Sequence, residues 1–160
     1  MSNEMKDWIN DKTAQAKWLV SKYPFLRIKD NSVCPWLNTE KVEGTWLDDL
    51  PDGWVNALCI EMCDELLAAL GKYVDDFIIV QTKEKYGSLV VHYHWGDKER
   101  TDEEQKELNN VSNAVHDILN KYLHRSYHTC ARCGQEATKY SKPWILPFCS
   151  ECFEEWKSNR

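Results

Sequence analysis

Between residues 52 and 70 apolar side chains return every three or four positions, and Val55, Leu58, Cys59, Met62, Leu66, Ala69 and Leu70 fall on one stripe. That period predicts a helix with one buried face. Pro51 suits its first turn, Asp52 complements the positive end of the helix dipole, and Gly71 supplies the stop. Upstream, residues 4–22 place Met5, Trp8, Ile9, Lys12, Ala16 and Leu19 near one side, which predicts an N-terminal helix ended by Tyr23 and Pro24. Residues 25–50 are broken by Pro35, Gly44 and polar positions and read as an irregular connection that packs its apolar pairs back onto the core.

The period then shortens to two. Phe77 to Thr82 and Ser88 to Trp95 are rich in β-branched and aromatic residues around the turn-like "KEKYG", which predicts an antiparallel hairpin. Leu89, Val91, Tyr93 and Trp95 share one face of its second strand, while Val90, His92 and His94 share the other. After "GDKER", Thr101 and Glu104 have the spacing of a capping box. Leu108, Val111, Val115, Ile118, Leu119 and Tyr122 carry a helical stripe onward for about six turns, directly into a cysteine-rich end. These elements predict an α+β fold with helices packed on a small antiparallel hairpin: a core over residues 1–126 and a zinc-ribbon element over 127–160.

That end reads C-x2-C-x15-C-x2-C, from Cys130, Cys133, Cys149 and Cys152. Two residues between thiolates let a tight knuckle aim both sulfurs at one ion, and Gly134 stands where such a turn needs positive φ. Four thiolates leave no open position on the metal, so the spacing predicts structural Zn²⁺ rather than a catalytic centre. A redox dithiol and an iron–sulfur centre use the same residues. His128 lies near the first knuckle, but the fourth cysteine makes it unnecessary as a ligand. The apolar run Trp144, Ile145, Leu146 and Phe148 around Pro147 is expected to form a short edge strand against the main domain. Cys59 and Cys63 stand one helical turn apart beside the buried stripe and read as small core hydrophobes; Cys34 takes no role in this scheme.

Net charge is −6, which disfavours a chain that holds nucleic acid mainly by neutralising phosphates. Residues 46–80 concentrate eight acidic side chains against the single Lys72, either as a solvated face or as a surface for a basic partner. Trp46, Asp48, Asp49 and Trp54 are candidate partner-binding residues, an aromatic anchor beside acids. The same four residues also suit the start of a helix in which both tryptophans are core and the acids are caps. Residues 126–160 hold five basic and four acidic side chains, so a zinc ion with four thiolates brings the segment to about −1. Arg132, Lys139 and Lys142 beside Trp144 make a local basic spot, the basis of an alternative reading as a nucleic-acid-binding regulator.

No stretch of 18 apolar residues occurs, and the polar start "MSNEMKDWINDKTAQ" lacks a signal-peptide core. A chain that stays in a reducing cytoplasm uses its seven cysteines as ligands and buried thiols rather than disulfides. No catalytic constellation is found. His92 and His94 have no acid fixed beside them by spacing, Asp75 and Asp76 before "QTK" are wrongly spaced for a nuclease, and G-x-S-x-G, P-loop and H-E-x-x-H patterns are missing.

Four stretches in order, "YPFL" at 23–26, "TWLDDLPDGW" at 45–54, "KEKYGSL" at 83–89 and the terminal "CARCG...WILPFC", together resemble a family of small, mostly uncharacterised bacteriophage and prophage proteins. The resemblance spans most of the chain and implies a phage accessory protein with a zinc-bearing C-terminus, acting inside the bacterial host cell. It carries over no catalytic residues. The class implies a protein that occupies and inhibits a host protein or defence complex, an anti-CRISPR role included, with no membrane partner.

Overall fold

The computed structural model describes residues 12–28 and 44–160. Met5, Trp8, Ile9 and Cys34 lie outside the described residues. The chain runs from α1 (Lys12–Lys22) through a 3₁₀ turn at Pro24–Leu26 to α2, a continuous rod of three stretches: Asp52–Trp54, a π-helical Val55–Cys59, and Ile60–Leu70. A 3₁₀ segment, Gly71–Asp76, leads into the hairpin β1 (Phe77–Lys85) and β2 (Ser88–Trp95). The long α3 (Asp102–Tyr127) follows, then the short pair β3 (Lys139–Tyr140) and β4 (Pro147–Phe148), and α4 (Ser150–Ser158). The fold is α+β, with the four terminal cysteines clustered as in a zinc ribbon. No helix among the described residues is long and apolar enough to cross a membrane.

The helix boundaries follow from local chemistry. Gly71 ends α2 at φ 51°, where a side chain would be strained, and its N–H reaches Leu67 O. Pro51 stands one position earlier than its pattern suggests, as the extended residue before the helix (ψ 135°), and Asp52 opens the first turn. At α3 the capping box forms in full: Thr101 Oγ1 accepts from Glu104 N, and the Glu104 carboxylate accepts from Thr101 N.

The hairpin is longer than its composition predicts. β1 continues through Lys85, so only Tyr86 and Gly87 form the turn, at φ 51° and 81°. Two successive residues of positive φ make the two-residue turn whose twist matches that of its strands, which lets pairing run up to Lys85↔Ser88. Leu89 is buried, and Val91, Tyr93 and Trp95 pack against the core from the same face; His92 and His94 are exposed. Phe25, Phe77, Tyr93 and Trp95 meet ring to ring at 4.9–5.6 Å.

The core lies between α2, α3 and the hairpin, with Tyr23, Trp54, Leu66, Val115 and Tyr122 nearly inaccessible. Cys59 and Cys63 are both fully buried there, and burial pushes the Cys59 thiol up to about 12. They are inert core hydrophobes far from thiolate chemistry. The polar edge of the α2–α3 contact carries charge pairs: Arg125 forks onto Glu61 at 3.1 and 3.3 Å, and Glu65 accepts from both Lys121 and Tyr122.

The hydrogen bonds from Lys121 and Tyr122 hold the Glu65 carboxyl below its ordinary range. A lowered folded-state pKa contributes stability above the unfolded value of about 4.3, and that contribution disappears as pH falls through the folded value. Glu65→Gln is therefore expected to flatten the acid limb of a plot of unfolding free energy against pH while changing the neutral value by less than about 1 kcal/mol, because the pair is solvent-screened. An unchanged acid limb would refute this assignment.

Candidate metal centre and the groove beside it

The first knuckle grows out of the end of α3. His128 closes that helix, Cys130 N donates to Gln135 O at 2.7 Å, and Gly134 N donates to Cys130 O at 2.9 Å. Gly134 takes φ 79° to complete the turn. The second pair sits at the start of α4, where Cys149 is the capping residue and its sulfur accepts from Cys152 N at 3.4 Å. Ala131 N donates to Pro147 O at 2.9 Å, and this bond brings the two knuckles together. Only Pro147 and Phe148 of the apolar run form strand, because Leu146 N turns back to the Ser141 hydroxyl at 2.9 Å.

All four Sγ atoms lie within 4.8 Å of one another, and Cys133 and Cys149 Sγ are 3.7 Å apart. A disulfide needs about 2.05 Å, whereas the edge of a tetrahedron with metal–sulfur bonds of about 2.3 Å is about 3.8 Å. The spacing is that of co-ligands. Burial pushes the Cys130 thiol up, but the backbone N–H groups of Cys133, Cys149 and Arg132 outweigh burial and bring it down to about 7. These four residues can hold a metal ion, and the other cysteines of the described chain lie elsewhere, in the core. His128 is exposed and outside the set.

The knuckle is seated on the start of α2. Gly53 N donates to Ala131 O at 2.9 Å, and a Cβ on Gly53 would stand 2.3 Å from Cys130 O and 2.7 Å from Gly134 N. A Cβ on Gly134 would meet Gly53 O at 2.8 Å and Ala57 Cβ at 2.9 Å. Backbone touches backbone here, and only paired glycines permit it. Trp54 completes the joint by donating from Nε1 to Thr129 O at 2.9 Å. Comparison with protein-family models, curated proteins and solved structures returns no match for this chain.

Trp54 therefore does not serve as a surface anchor. It is 0 % exposed, because its indole fills the core and its N–H satisfies a carbonyl of the cysteine segment. Trp46 is half-buried against the core, where its carbonyl accepts from the Thr82 hydroxyl. Asp48 and Asp49 are exposed, and both line a groove of about 720 Å³ between the start of α2 and the ribbon. Asp52 and Glu84 extend its acidic side, Leu50, Pro51, Leu146 and Phe148 supply apolar surface, and Arg132, Trp144, Trp156 and Arg160 line it from the ribbon.

The charges of this groove are unequally engaged. Asp48 accepts from Thr45 N at 3.0 Å and from the Thr45 hydroxyl at 3.2 Å. The side chains of Asp49 and Asp52 have no partner among the described residues. Arg132 pairs with Glu155 at 2.8 Å, and the Arg160 guanidinium stacks on Trp156 at 4.5 Å. Lys139 and Lys142 are exposed and lie outside the groove lining. Trp144 is 69 % exposed, with its indole N–H held by Glu84 at 2.9 Å. Glu84 is a residue that pattern reading missed, and Trp144 reads there as the aromatic of a basic spot rather than as a partner of Glu84. Nothing in the apolar run 144–148 marks Trp144 as its exposed member or pairs it with the hairpin.

Proposed function

We propose that the protein is a zinc-stapled binding module of the phage-accessory type, which acts by occupying a surface of a bacterial host protein and inhibiting it. The observation that carries this reading is the groove: Asp49 and Asp52, without a partner among the described residues, line the same space of about 720 Å³ as apolar side chains and a large exposed indole. Exposed aromatic surface beside unspent charge is the composition of an interface hot spot. Zinc is the metal that suits four thiolates at tetrahedral spacing, and a closed set of four cysteine ligands has no position for substrate. Its part is to supply the cross-link that holds Ala131, Arg132 and Phe148 in the groove wall.

The nucleic-acid reading draws less support. Arg132 already spends its charge on Glu155, and Asp48, Asp49, Asp52 and Glu84 present a negative field to any phosphate entering beside Trp144.

The test is capture from nuclease-treated bacterial lysate at physiological salt, with the wild-type chain, Trp144→Ala and the distant α3 variant Glu103→Gln run in parallel. One protein retained by wild type and Glu103→Gln, lost from Trp144→Ala, and inhibited when the purified chain is added back, is the expected result. Capture indifferent to Trp144, or recovery of nucleic acid alone, would sink the proposal.

A further inference from the structure

We infer that the occupant of the groove is an extended polypeptide segment bearing an arginine or lysine, with its alkyl stem on Trp144 and its charged head between Asp49 and Asp52; this rests on the protein-binding reading above. The chemistry of each wall points to it. Among the described residues Asp49 and Asp52 have no partner and Arg132 is paired with Glu155, so the lining carboxylates Asp48, Asp49, Asp52 and Glu84 outweigh Arg160, the other basic residue of the lining, which stacks on Trp156. The net field in the groove therefore attracts a cation. Trp144 offers an exposed indole whose N–H is fixed by Glu84, and a fixed indole face is the best aromatic surface for a guanidinium or ammonium. A free amine would satisfy the acids but leave the half-buried Pro51 and Leu146 and the exposed Trp144 uncovered, so the cation belongs to a chain with apolar neighbours.

The surface continues past the groove in a way that suits an extended ligand. Glu84 bridges two elements, accepting from Gly87 N at 2.7 Å and from Trp144 Nε1 at 2.9 Å, so the hairpin turn sits against the ribbon. Gly87 lies beside Ile145 and Tyr127, within 3.4 Å of where its Cβ would be. The three large hydrophobics that the described residues expose, Tyr86, Tyr127 and Trp144, thus gather at one end of the molecule. Tyr86 is 74 % exposed and held at φ 51°, a conformation in which an aromatic residue is strained and asparagine or glycine is not. A tyrosine kept there, its ring meeting Lys85 Nζ at 6.0 Å and otherwise open to solvent, extends the contact surface beyond the cation site.

The experiment is selection of a random-peptide display library on the full chain at physiological salt. Anisotropy titration of the selected peptides follows, against wild type, Trp144→Ala and the double variant Asp49→Asn/Asp52→Asn, with a short oligothymidylate as competitor. All three substituted side chains are exposed, and unchanged melting temperatures would confirm that the variants fold. Selected peptides are expected to share an arginine or lysine next to an apolar residue. Their affinity should fall about tenfold or more in both variants, the equivalent of about 1.4 kcal/mol. Peptides that need Trp144 but carry no basic residue, or that ignore the aspartate substitutions, would overturn the cation assignment and leave protein binding at the groove intact. Peptides indifferent to Trp144, no selected peptide at all, or displacement by the oligonucleotide would overturn both.

Discussion

Gly53→Ala is expected to be the most damaging single methyl group that can be added to this chain. Its Cβ would lie 2.3 Å from Cys130 O, 2.8 Å from Ala131 C and 2.7 Å from Gly134 N. All three are backbone atoms of the turn that carries Cys130 and Cys133, so no side chain can rotate away. Overpacking typically costs about 1–3 kcal/mol, and contacts this short against backbone put the variant at or above the upper figure. For a domain of this size that corresponds to a fall in melting temperature of roughly 6–12 °C. The clash also acts on the metal loop itself, so Gly53→Ala should lose its metal to a chelator faster than wild type. Gly96→Ala is the control: the nearest atoms to its Cβ are 3.8 Å away, and its melting temperature should be nearly unchanged. Equal effects at the two glycines would show that the joint between α2 and the knuckle does not have this geometry.

The second large effect is loss of a metal ligand. Cys149→Ala is expected to release the zinc we propose and to unfold the segment from Thr129 onward, leaving the α2–α3–hairpin core in place. β3 and β4 pair over two residues each and α4 has nine, far too little to stand without a cross-link. Free zinc at about a thousand times its dissociation constant would contribute about 4 kcal/mol to the folded state, and a chelator should remove that amount. Trp54 would lose its acceptor at Thr129, so the damage should reach the core as a change in indole fluorescence. Elemental analysis should find one zinc per wild-type chain and none in Cys149→Ala. Cys59→Ala and Cys63→Ala, though core substitutions, should keep the metal, because both thiols lie in the α2 stripe. Wild type that melts identically with and without chelator, and contains no metal, would refute the staple.

The two effects share one origin, the joint between residues 51–54 and 129–134. Its consequence for function is positional. The joint brings Asp49, Asp52 and Trp144 to the lining of one groove, so the surface proposed to bind a partner exists only while the ribbon is docked. Loss of partner binding on chelation would therefore report the collapse of one groove wall rather than chemistry at the metal.

By itself the sequence determined the features whose causes are local. Helical stripes, the capping box at Thr101, the stop at Gly71 and the two cysteine knuckles each depend on residues a few positions apart, and such spacing is printed in the chain. The cysteine cluster was legible for the same reason: each knuckle aims its own two sulfurs, and only their meeting is tertiary. Tertiary structure alone decided which tryptophan is which. Trp54 and Trp144 both stand in mixed apolar surroundings, yet a bond across 75 positions buries the first, and one across 60 positions props the second at the surface. Nothing in the local sequence singles out Gly53, and only the approach of Cys130 shows why no other residue fits there. The groove was likewise illegible, because its carboxylates and its indole come from segments whose closeness is set by long-range packing, which leaves no period in the sequence.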